Sequence, residues 1–408
     1  MKPTTIALPL AVAALAGIAL AATDAPPPPS PVSFSKKMIT DTFFAEGCTV
    51  ADVNGDGTDD LVAGPFWYAG PSFDTKHEIY EAKPYDPKGY SENFLTFTHD
   101  VNGDGHPDVV VFGFPGQEVL WYQHPGTDKL DSHWQRHVAV PIADNESPAF
   151  QDLTGDGSPE IICSLDGRFA YASIPEDPTQ EWPLVFISDQ ATGGKFTHGL
   201  GVGDVNGDGR PDIIDKDSWW EQPESLEDAP LWKRHRYTFA PGGARGGAQM
   251  FAYDFDGDGD NDILTSIDSH GFGLSWFEQF EDADGTRSFR QHTIVGDKPE
   301  DSPFGLVFTQ MHAIAMADVD GDGVEDIVTG KRYWAHGGND PGGNDPAVLY
   351  WFRTVRGDGT SGTASFHPYQ IDDDSGVGTQ VRAEDISGDD KPDILVSNKK
   401  GTFVFTQE

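Results

Sequence analysis

The sequence predicts an all-β fold: a single seven-bladed β-propeller closed by an N-terminal strand that completes the C-terminal blade. First, a nine-residue Asp- and Gly-rich segment occurs seven times, with starts 48 to 67 residues apart. That period fits one four-stranded blade. Second, many short apolar runs end in turn residues, and sustained helical periodicity is absent. Third, the last repeat lacks a fourth strand, while the N-terminus offers one.

The N-terminal segment is predicted to be a processing signal followed by a linker. Residues 1–22 carry Lys2 and then an apolar run that ends in small residues, which is typical of a secretory signal peptide. Residues 23–32 include four consecutive prolines and are expected to form a stiff tether. The propeller is expected over residues 33–408, where no stretch is apolar enough to span a membrane. We therefore expect a secreted or periplasmic protein.

Each blade is expected to follow one pattern of strands. A first strand precedes the nine-residue loop, and an apolar second strand follows it. The third strand carries aromatic residues, as over residues 120–122 and 274–277, which we expect to pack between blades. The chain ends on such a third strand at residues 402–405, and residues 33–39 match the fourth-strand pattern of residues 288–294. Pairing of the two ends would close the ring and protect an exposed edge.

The seven loops follow the pattern D-x-[DN]-x-D-G-x-x-D with small departures. Side-chain oxygens stand at positions one, three, five and nine, and a backbone carbonyl at position seven could add another ligand. Hard oxygen ligands without nitrogen or sulfur favour calcium, and the glycine permits the sharp turn. We therefore expect up to seven structural Ca²⁺ ions. The predicted ligands, loop by loop, are Asp52, Asn54, Asp56 and Asp60; Asp100, Asn102, Asp104 and Asp108; Asp152, Thr154, Asp156 and Glu160; Asp204, Asn206, Asp208 and Asp212; Asp254, Asp256, Asp258 and Asp262; Asp318, Asp320, Asp322 and Asp326; and Asp385, Ser387, Asp389 and Asp393.

These loops in their strand context resemble FG-GAP or VCBS repeats, the calcium-bearing propeller blades also found in integrin α-chains. The resemblance covers residues 33–408 and implies the propeller fold and the calcium sites. The histidine-containing strands and residues 330–336, Gly-Lys-Arg-Tyr-Trp-Ala-His, also resemble the propeller part of aldos-2-ulose dehydratases. That second resemblance implies a metal-dependent elimination of water from an oxidised sugar.

A functional site is expected on the propeller face opposite the calcium loops. The residues six positions before each loop should lie at equivalent points around the channel mouth, and they are Glu46, Phe94, Glu146, His198, Ala248, His312 and Thr379. The loops between second and third strands add Asp217, Asp268, His270, Lys331, Arg332, His336 and Lys399. Polar groups of this kind are costly to enclose unless they are paired or bind something.

Three histidines of blades four, five and six are predicted to converge there. His198, His270 and His312 could hold one Zn²⁺ or another divalent transition metal with a position open to substrate. Glu146 or His336 could then serve as the base in an elimination. Lys331 or Arg332 could stabilise the developing enolate oxygen.

Two functional classes remain open from the sequence. The first is a carbohydrate lyase or dehydratase that acts on an oxidised sugar. The alternative is a non-catalytic propeller that recognises a glycan or a protein, as lectins and adhesion domains do. A multivalent lectin should repeat its pocket in each blade, whereas the distinctive residues here are concentrated in blades four to six. The net charge of −40 argues against nucleic acid as a partner, and the sequence predicts no oligomeric state.

Removal of calcium with EDTA is expected to lower the melting temperature sharply. Extracellular calcium sites bind with Kd values of about 10⁻⁴ to 10⁻³ M. At a tenfold excess of calcium over Kd, each site adds about 1.4 kcal/mol to the free energy of unfolding, so seven would add about 10 kcal/mol. Differential scanning calorimetry with and without EDTA checks this, and an unchanged melting curve would contradict it.

Overall fold

The computed structural model describes residues 30–189, 193–357 and 363–408. The predicted signal peptide, residues 1–22, and residues 23–29 of the predicted tether lie outside the described residues. The described chain is all-β, with 27 strands and four short 3-10 helices. The helices are Thr127–Lys129, Pro241–Gly243, Pro299–Asp301 and Ala335–Gly338. In the part of the chain that is described, no helix has the length and apolar character needed to cross a membrane.

The strands form five sheets. We number the units by their loops, so unit one is the first four-stranded sheet, β2 (Cys48–Ala51), β3 (Asp60–Ala63), β4 (Phe66–Tyr68) and β5 (Lys76–Glu78). A seven-stranded sheet carries units two and three and contains β6 (Leu95–His99), β7 (Asp108–Phe112), β8 (Gln117–Gln123), β9 (Gln135–Gln151), β10 (Glu160–Leu165), β11 (Arg168–Ala172) and β12 (Val185–Phe186).

The remaining three sheets carry units four to seven. An eight-stranded sheet contains units four and five, with β13 (Leu200–Gly203), β14 (Asp212–Asp215), β15 (Ser218–Glu221), β16 (Lys233–Arg236), β17 (Gln249–Tyr253), β18 (Asp262–Ser266), β19 (Leu274–Glu281) and β20 (Arg287–Val295). Unit six is a four-stranded sheet of β21 (Ile314–Ala317), β22 (Asp326–Gly330), β23 (Leu349–Arg356) and β24 (Ala364–Asp372). Unit seven combines β1 (Phe34–Thr40) with β25 (Val381–Glu384), β26 (Asp393–Asn398) and β27 (Gly401–Gln407).

Two connections differ from the strand pattern expected from the sequence. β9 runs for 17 residues and serves as the last strand of unit two and the first strand of unit three. β13 and β17, the first strands of units four and five, pair in parallel. The repeat spacing predicts the units, whereas these fusions depend on how neighbouring units meet.

The two chain ends pair as the strand patterns predict. β1 lies antiparallel to β27, with Phe34 opposite Gln407 and Met38 opposite Phe403. β27 would otherwise be an exposed edge, because its other side pairs with β26. The N-terminal strand therefore supplies the missing fourth strand of unit seven and covers that edge.

A buried carboxylate at position nine of the loop anchors each unit. In unit four, Asp212 begins β14; its Oδ2 accepts from the Val205 N–H at 3.0 Å, and its Oδ1 accepts from the Gln222 N–H at 2.9 Å. The same pair of bonds, from the second loop residue and from the end of the third strand, recurs at Asp60, Asp108, Asp262, Asp326 and Asp393. Glu160 of unit three differs, since its second oxygen accepts from the Ser173 hydroxyl. These residues thus tie loop, second strand and third strand together.

The first strands surround a central cavity of about 310 Å³. β6, β9, β13, β17, β21 and β25 all contribute to its wall, and apolar side chains such as Phe97, Phe150, Met250 and Met316 line much of it. Gln249 and Gln380 reach between first strands: Gln380 bonds with both the N–H and the carbonyl of Thr96. The first strands therefore face one another across a common centre.

Substitution of Asp212 tests the anchoring role of position nine against a role in calcium binding. Asp212→Ala leaves the buried Val205 and Gln222 amides without their acceptor, so the free energy of unfolding should fall by about 3 kcal/mol. Urea denaturation at pH 8 measures this, with the exposed Glu224→Ala as the control. The loss should persist in EDTA. A loss seen with calcium that disappears in EDTA would show that Asp212 acts chiefly as a calcium ligand.

Candidate metal centre

Four side chains from units three to six converge on one another. Ligand atoms of Glu146, His198, His270 and His312 all lie within 4.8 Å of one another. Glu146 lies within β9; His198 and His312 lie two residues before β13 and β21, and His270 follows β18. The three histidines predicted to converge therefore do so, and Glu146 joins them.

The four groups face each other closely, and they are buried. Nε2 of His198 lies 3.3 Å from Oε2 of Glu146, and Nε2 of His312 lies 3.8 Å from the same oxygen. The ring centroid of His270 lies 5.0 Å from that of His198 and 4.6 Å from that of His312. The histidines are at most 4% exposed. Polar groups at this depth need partners or a ligand.

Burial and charge set the protonation of the cluster. Burial raises the pKa of Glu146, but the contacts with His198 and the charge of Arg332 outweigh burial and lower it to about 2. Burial lowers the pKa of His270 to about 4 and lowers that of His312 well below its usual value. At neutral pH the carboxylate is therefore ionised, and these two imidazoles are neutral. Those are the protonation states that metal ligands require.

The donor set fits a divalent transition metal. Three imidazoles and one carboxylate are ligands that zinc and similar ions accept. Among the described residues, neither ring nitrogen of His312 makes a hydrogen bond, and Nε2 of His198 also lacks one. Buried imidazole nitrogens are normally hydrogen-bonded. Nε2 of His198 at least faces Oε2 of Glu146 at 3.3 Å, and a bound ion would supply the partner that His312 lacks.

Arg332 ties Glu146 to a second carboxylate. The guanidinium is 1% exposed; its Nε donates to Oε2 of Glu46 at 2.7 Å, and its Nη1 lies 3.6 Å from Oε2 of Glu146. Glu46 precedes β2, so this chain of charges links units one, three and six. Arg332, proposed from the sequence as an enolate stabiliser, thus has two carboxylate partners within the protein.

Asp340 holds two histidines in place. Its Oδ2 lies 3.0 Å from Nδ1 of His270 and 3.0 Å from Nδ1 of His336. The two rings stack with centroids 4.3 Å apart. When each Nδ1–H donates to Asp340, Nε2 of each ring carries the free lone pair, which could accept a proton or bind a metal.

Backbone strain marks the segment that carries His336. Trp334 has φ of 78° and His336 has φ of 47°, in the left-handed region that residues with a Cβ seldom adopt. Such residues persist when surrounding contacts hold them, and they concentrate at functional sites. Here the Asp340 bond and the stacking on His270 supply those contacts.

Lys331 does not face the cluster. Its ammonium donates to the backbone carbonyls of Gly342 and Asp345, the latter at 2.5 Å. It thereby braces the segment that holds His336 and Asp340. The histidines within strands also lie apart from the cluster. Four of them stack on tryptophans: His77 on Trp67, His137 on Trp121, His235 on Trp219 and His292 on Trp276.

The nine-residue loops include, among the described residues, two acidic clusters that could hold a cation. Oxygens of Asp254, Asp256 and Asp258 lie within 4.8 Å of one another in loop five, and those of Asp318, Asp320 and Asp326 do so in loop six. These are the two loops in which the sequence offers four carboxylates.

Buried carboxylate oxygens in these two loops fit a cation. Oδ2 of Asp256 and Oδ1 of Asp320 are buried without a hydrogen-bond partner among the described residues. Burial also raises the pKa of Asp262 to about 8, a cost that a cation would offset. In loop six Arg353 already contacts Asp320 at 2.5 Å and so supplies part of that charge.

Two residues of this region, Asp340 and Tyr90, were not singled out from the sequence, and the pairing of a third was not predicted. Asp340 stands four residues after His336 in a long loop, and that spacing is the one feature of the sequence that could have indicated its contact with the histidine. Tyr90 lies beside the Arg332 guanidinium, 5.7 Å from its ring centroid, without any motif. Glu46 was placed at the channel mouth, but its pairing with Arg332 was not predicted.

Comparison with known proteins identifies the repeat. Residues 100–163, which include loops two and three, match the FG-GAP-like repeat family. The chain therefore carries an FG-GAP-like repeat. Among proteins with curated descriptions, none matches this sequence.

Solved structures resemble the chain at low identity. An Agrocybe aegerita lectin, solved to explain its recognition of non-reducing terminal N-acetylglucosamine, is 18% identical over 88% of this chain and 84% of its own, with a TM-score of 0.49. An auxiliary nutrient binding protein from Bacteroides ovatus is 8% identical over 92% and 77%, with a TM-score of 0.47. Rhamnogalacturonan lyase YesW is 13% identical over 94% and 74%, with a TM-score of 0.42. These values say nothing about the activity of this chain.

Asp340→Asn tests the orienting role of this carboxylate. The amide cannot replace the charge that holds the Nδ1–H of His270, so zinc affinity should fall by about 10- to 100-fold. Competition with a chromogenic chelator measures the affinity, and Asp345→Asn, an exposed change in the same loop, is the control. Equal zinc affinity in Asp340→Asn and in the unmodified protein would contradict the role.

Proposed function

We propose that this protein is an exported, metal-dependent carbohydrate lyase or dehydratase that acts on an oxidised sugar. The observation that carries the proposal is the convergence of three histidines and one carboxylate, with unpaired imidazole nitrogens, beside a histidine held by Asp340. Distinctive residues of this kind concentrate in units three to six, which favours one site over a repeated pocket.

Four ligands and one base have separate roles in the proposal. Glu146, His198, His270 and His312 would hold the ion, which when bound would polarise the carbonyl of the sugar and acidify the adjacent C–H. Arg332 keeps Glu146 ionised and in place, because it lies 3.6 Å from that carboxylate. With a pKa of about 2, Glu146 is too weak a base to remove the proton. It is therefore a ligand in this proposal.

His336 is the residue best placed to act as the base. Its Nδ1 faces Asp340, which fixes the tautomer and leaves Nε2 free. His336 is stacked on the ligand His270, so a substrate at the ion would lie beside it. The proton of the C–H next to the carbonyl would pass to Nε2 of His336. The C–O bond at the next carbon would break, a C=C bond would form, and the departing oxygen would take up a proton.

The site depends on a closed ring, and we propose that the seven units form a seven-bladed propeller. Backbone hydrogen bonds between units support this: Thr379 donates to Glu46, and Glu46 donates to Asn93. Comparable bonds join later units, from Glu146 to Thr197, from Gln310 to Gly271 and from Val377 to Lys331. The parallel pairing of β13 with β17 joins units four and five.

Close packing at Gly47 supports closure between the first and last units. A Cβ at Gly47 would lie 2.5 Å from Oε1 of Gln380 and 2.7 Å from the carbonyl oxygen of Phe94. Unit one is thus held tightly between units seven and two. We further propose that the loops bind Ca²⁺ as structural ions, which the acidic clusters of loops five and six support.

A non-catalytic glycan-binding role is the second candidate. Phe196 is 51% exposed and packs edge-to-face on Phe114, whose ring also meets Tyr90. Aromatic faces beside a polar centre suit the stacking of sugar rings. If this candidate is right, the proposed metal centre is unchanged, and a sugar binds beside it without being converted to a product.

Elimination assays on the zinc-loaded protein separate the two candidates. We expect an oxidised sugar to yield an unsaturated product detected by NMR, and we expect His312→Ala and His198→Ala to lose the bound ion and about 10³-fold in rate or more. His336→Gln should lose about 10²- to 10⁴-fold in rate while keeping the ion.

The surface change His133→Ala is the control for these variants, with circular dichroism as the check on folding. If His312→Ala leaves both the bound metal and the sugar affinity unchanged, the site proposal fails. Saturable sugar binding without product, across a panel of keto-sugars and uronates, would select the glycan-binding candidate.

A further inference from the structure

Lys399 is a buried cation at the rim of the metal centre. It follows β26 and is 4% exposed. Its ammonium donates to the carbonyl of Trp334 at 3.2 Å and lies 4.3 Å from the ring centroid of Tyr90. Burial lowers its pKa to about 8, although Glu46 acts in the opposite direction. At neutral pH the side chain is therefore mainly charged.

Lys399 lacks the carboxylate partner that its neighbours have. Arg332 pairs with Glu46, and Lys400 pairs with Asp374 at 2.5 Å. Across the described residues Lys399 forms no ion pair. A buried charge without a counter-charge is costly, and neither a carbonyl nor an aromatic ring supplies negative charge. The Lys399 ammonium is therefore a buried cation to which a ligand carboxylate could supply the missing ion-pair partner.

Tyr90 connects Lys399 to the reacting groups. Its ring contacts the Lys399 ammonium on one side and lies 5.7 Å from the Arg332 guanidinium. Burial raises the pKa of Tyr90, while Arg332 and a hydrogen bond from the His336 backbone lower it. Tyr90 therefore touches the residue that carries the proposed base, and Lys399 shares a rim with His336.

We propose that Lys399 binds the carboxylate of an acidic sugar, so that the substrate of this site is a uronate-type sugar and not a neutral keto-sugar. The inference rests on the proposed function and narrows its substrate class. Glu46, Glu146 and Asp340 carry three negative charges, against Arg332, Lys399 and a divalent ion with four positive ones. A substrate carboxylate would balance the charge of the site, and it would form a charge-assisted hydrogen bond with the ammonium.

The chemistry of a uronate suits the arrangement. Lys399 neutralises part of the charge on its carboxylate, and the ion, when bound, would add to this, so that the C–H on the adjoining carbon would become more acidic. That proton passes to Nε2 of His336, the C–O bond at the next carbon breaks, and a C=C bond forms in conjugation with the carboxylate. The departing oxygen takes a proton, so no oxidant or reductant is required.

Calorimetric titration of the zinc-loaded full chain at pH 7 tests the inference. D-galacturonate should bind at least about tenfold more tightly than D-galactose, and the methyl ester of galacturonate should bind like galactose. Lys399→Met should remove the preference while zinc content is unchanged. Lys400→Met, its neighbour paired at the surface with Asp374, should keep the preference.

The outcomes distinguish failure of the uronate inference from failure of the proposed function. Equal affinity for galacturonate and galactose, no detectable binding of galacturonate, or an undiminished preference in Lys399→Met would overturn the inference. The comparison of acid with ester needs no variant, so it decides even if Lys399→Met fails to fold. A protein that binds zinc and eliminates from neutral keto-sugars as fast as from uronates would refute the inference alone. A protein that binds no transition metal would refute the proposed function itself.

Discussion

The repeated bond between a buried position-nine carboxylate and two backbone amides is the constraint on which the units depend. Asp212 and its counterparts join the loop to the second strand and to the end of the third. A buried carboxylate with two amide donors is satisfied without a cation, yet its raised pKa makes a nearby cation favourable. The same residue can therefore shape the unit and favour an ion. One end of each unit is committed to this task, which leaves the opposite end free to differ.

The opposite end differs most in units three to six, where the site lies. Charged side chains and imidazoles accumulate there around Glu146, and the three histidines are at most 4% exposed. Arg332 balances the negative charge of two carboxylates, and Asp340 accepts hydrogen bonds from two histidines. Both ring nitrogens of His312 remain without a hydrogen-bond partner among the described residues. Three imidazoles and one carboxylate are donors that a divalent transition metal accepts, and the proposed function rests on such an ion binding here.

The sequence predicted the parts of this account that follow from repetition. Equivalent positions in a repeat occupy equivalent places, so His198, His312 and Glu146 could be located together from spacing alone. The pairing of β1 with β27 followed from matching strand patterns at the two ends. By contrast, Lys331 and Arg332 are adjacent in the chain and point to different surroundings. Spacing could not decide which of them meets the cluster.

Other features depend on conformations that a single sequence does not display. The role of Asp340 depends on an unusual turn in which Trp334 and His336 adopt positive φ. The fusion of two units through β9 depends on contacts between neighbours. The partners of Lys399 depend on how Tyr90 folds across the rim. These contacts form between units, where the spacing of the repeats carries no information about side-chain partners.

Elemental analysis of the purified, untagged protein after dialysis tests the central claim most directly. The account predicts several calcium ions per chain and about one zinc, manganese, nickel or iron ion, with the transition metal lost in His312→Ala. Calcium alone, with no transition metal retained even after incubation with zinc followed by dialysis, would contradict the proposed centre at Glu146, His198, His270 and His312.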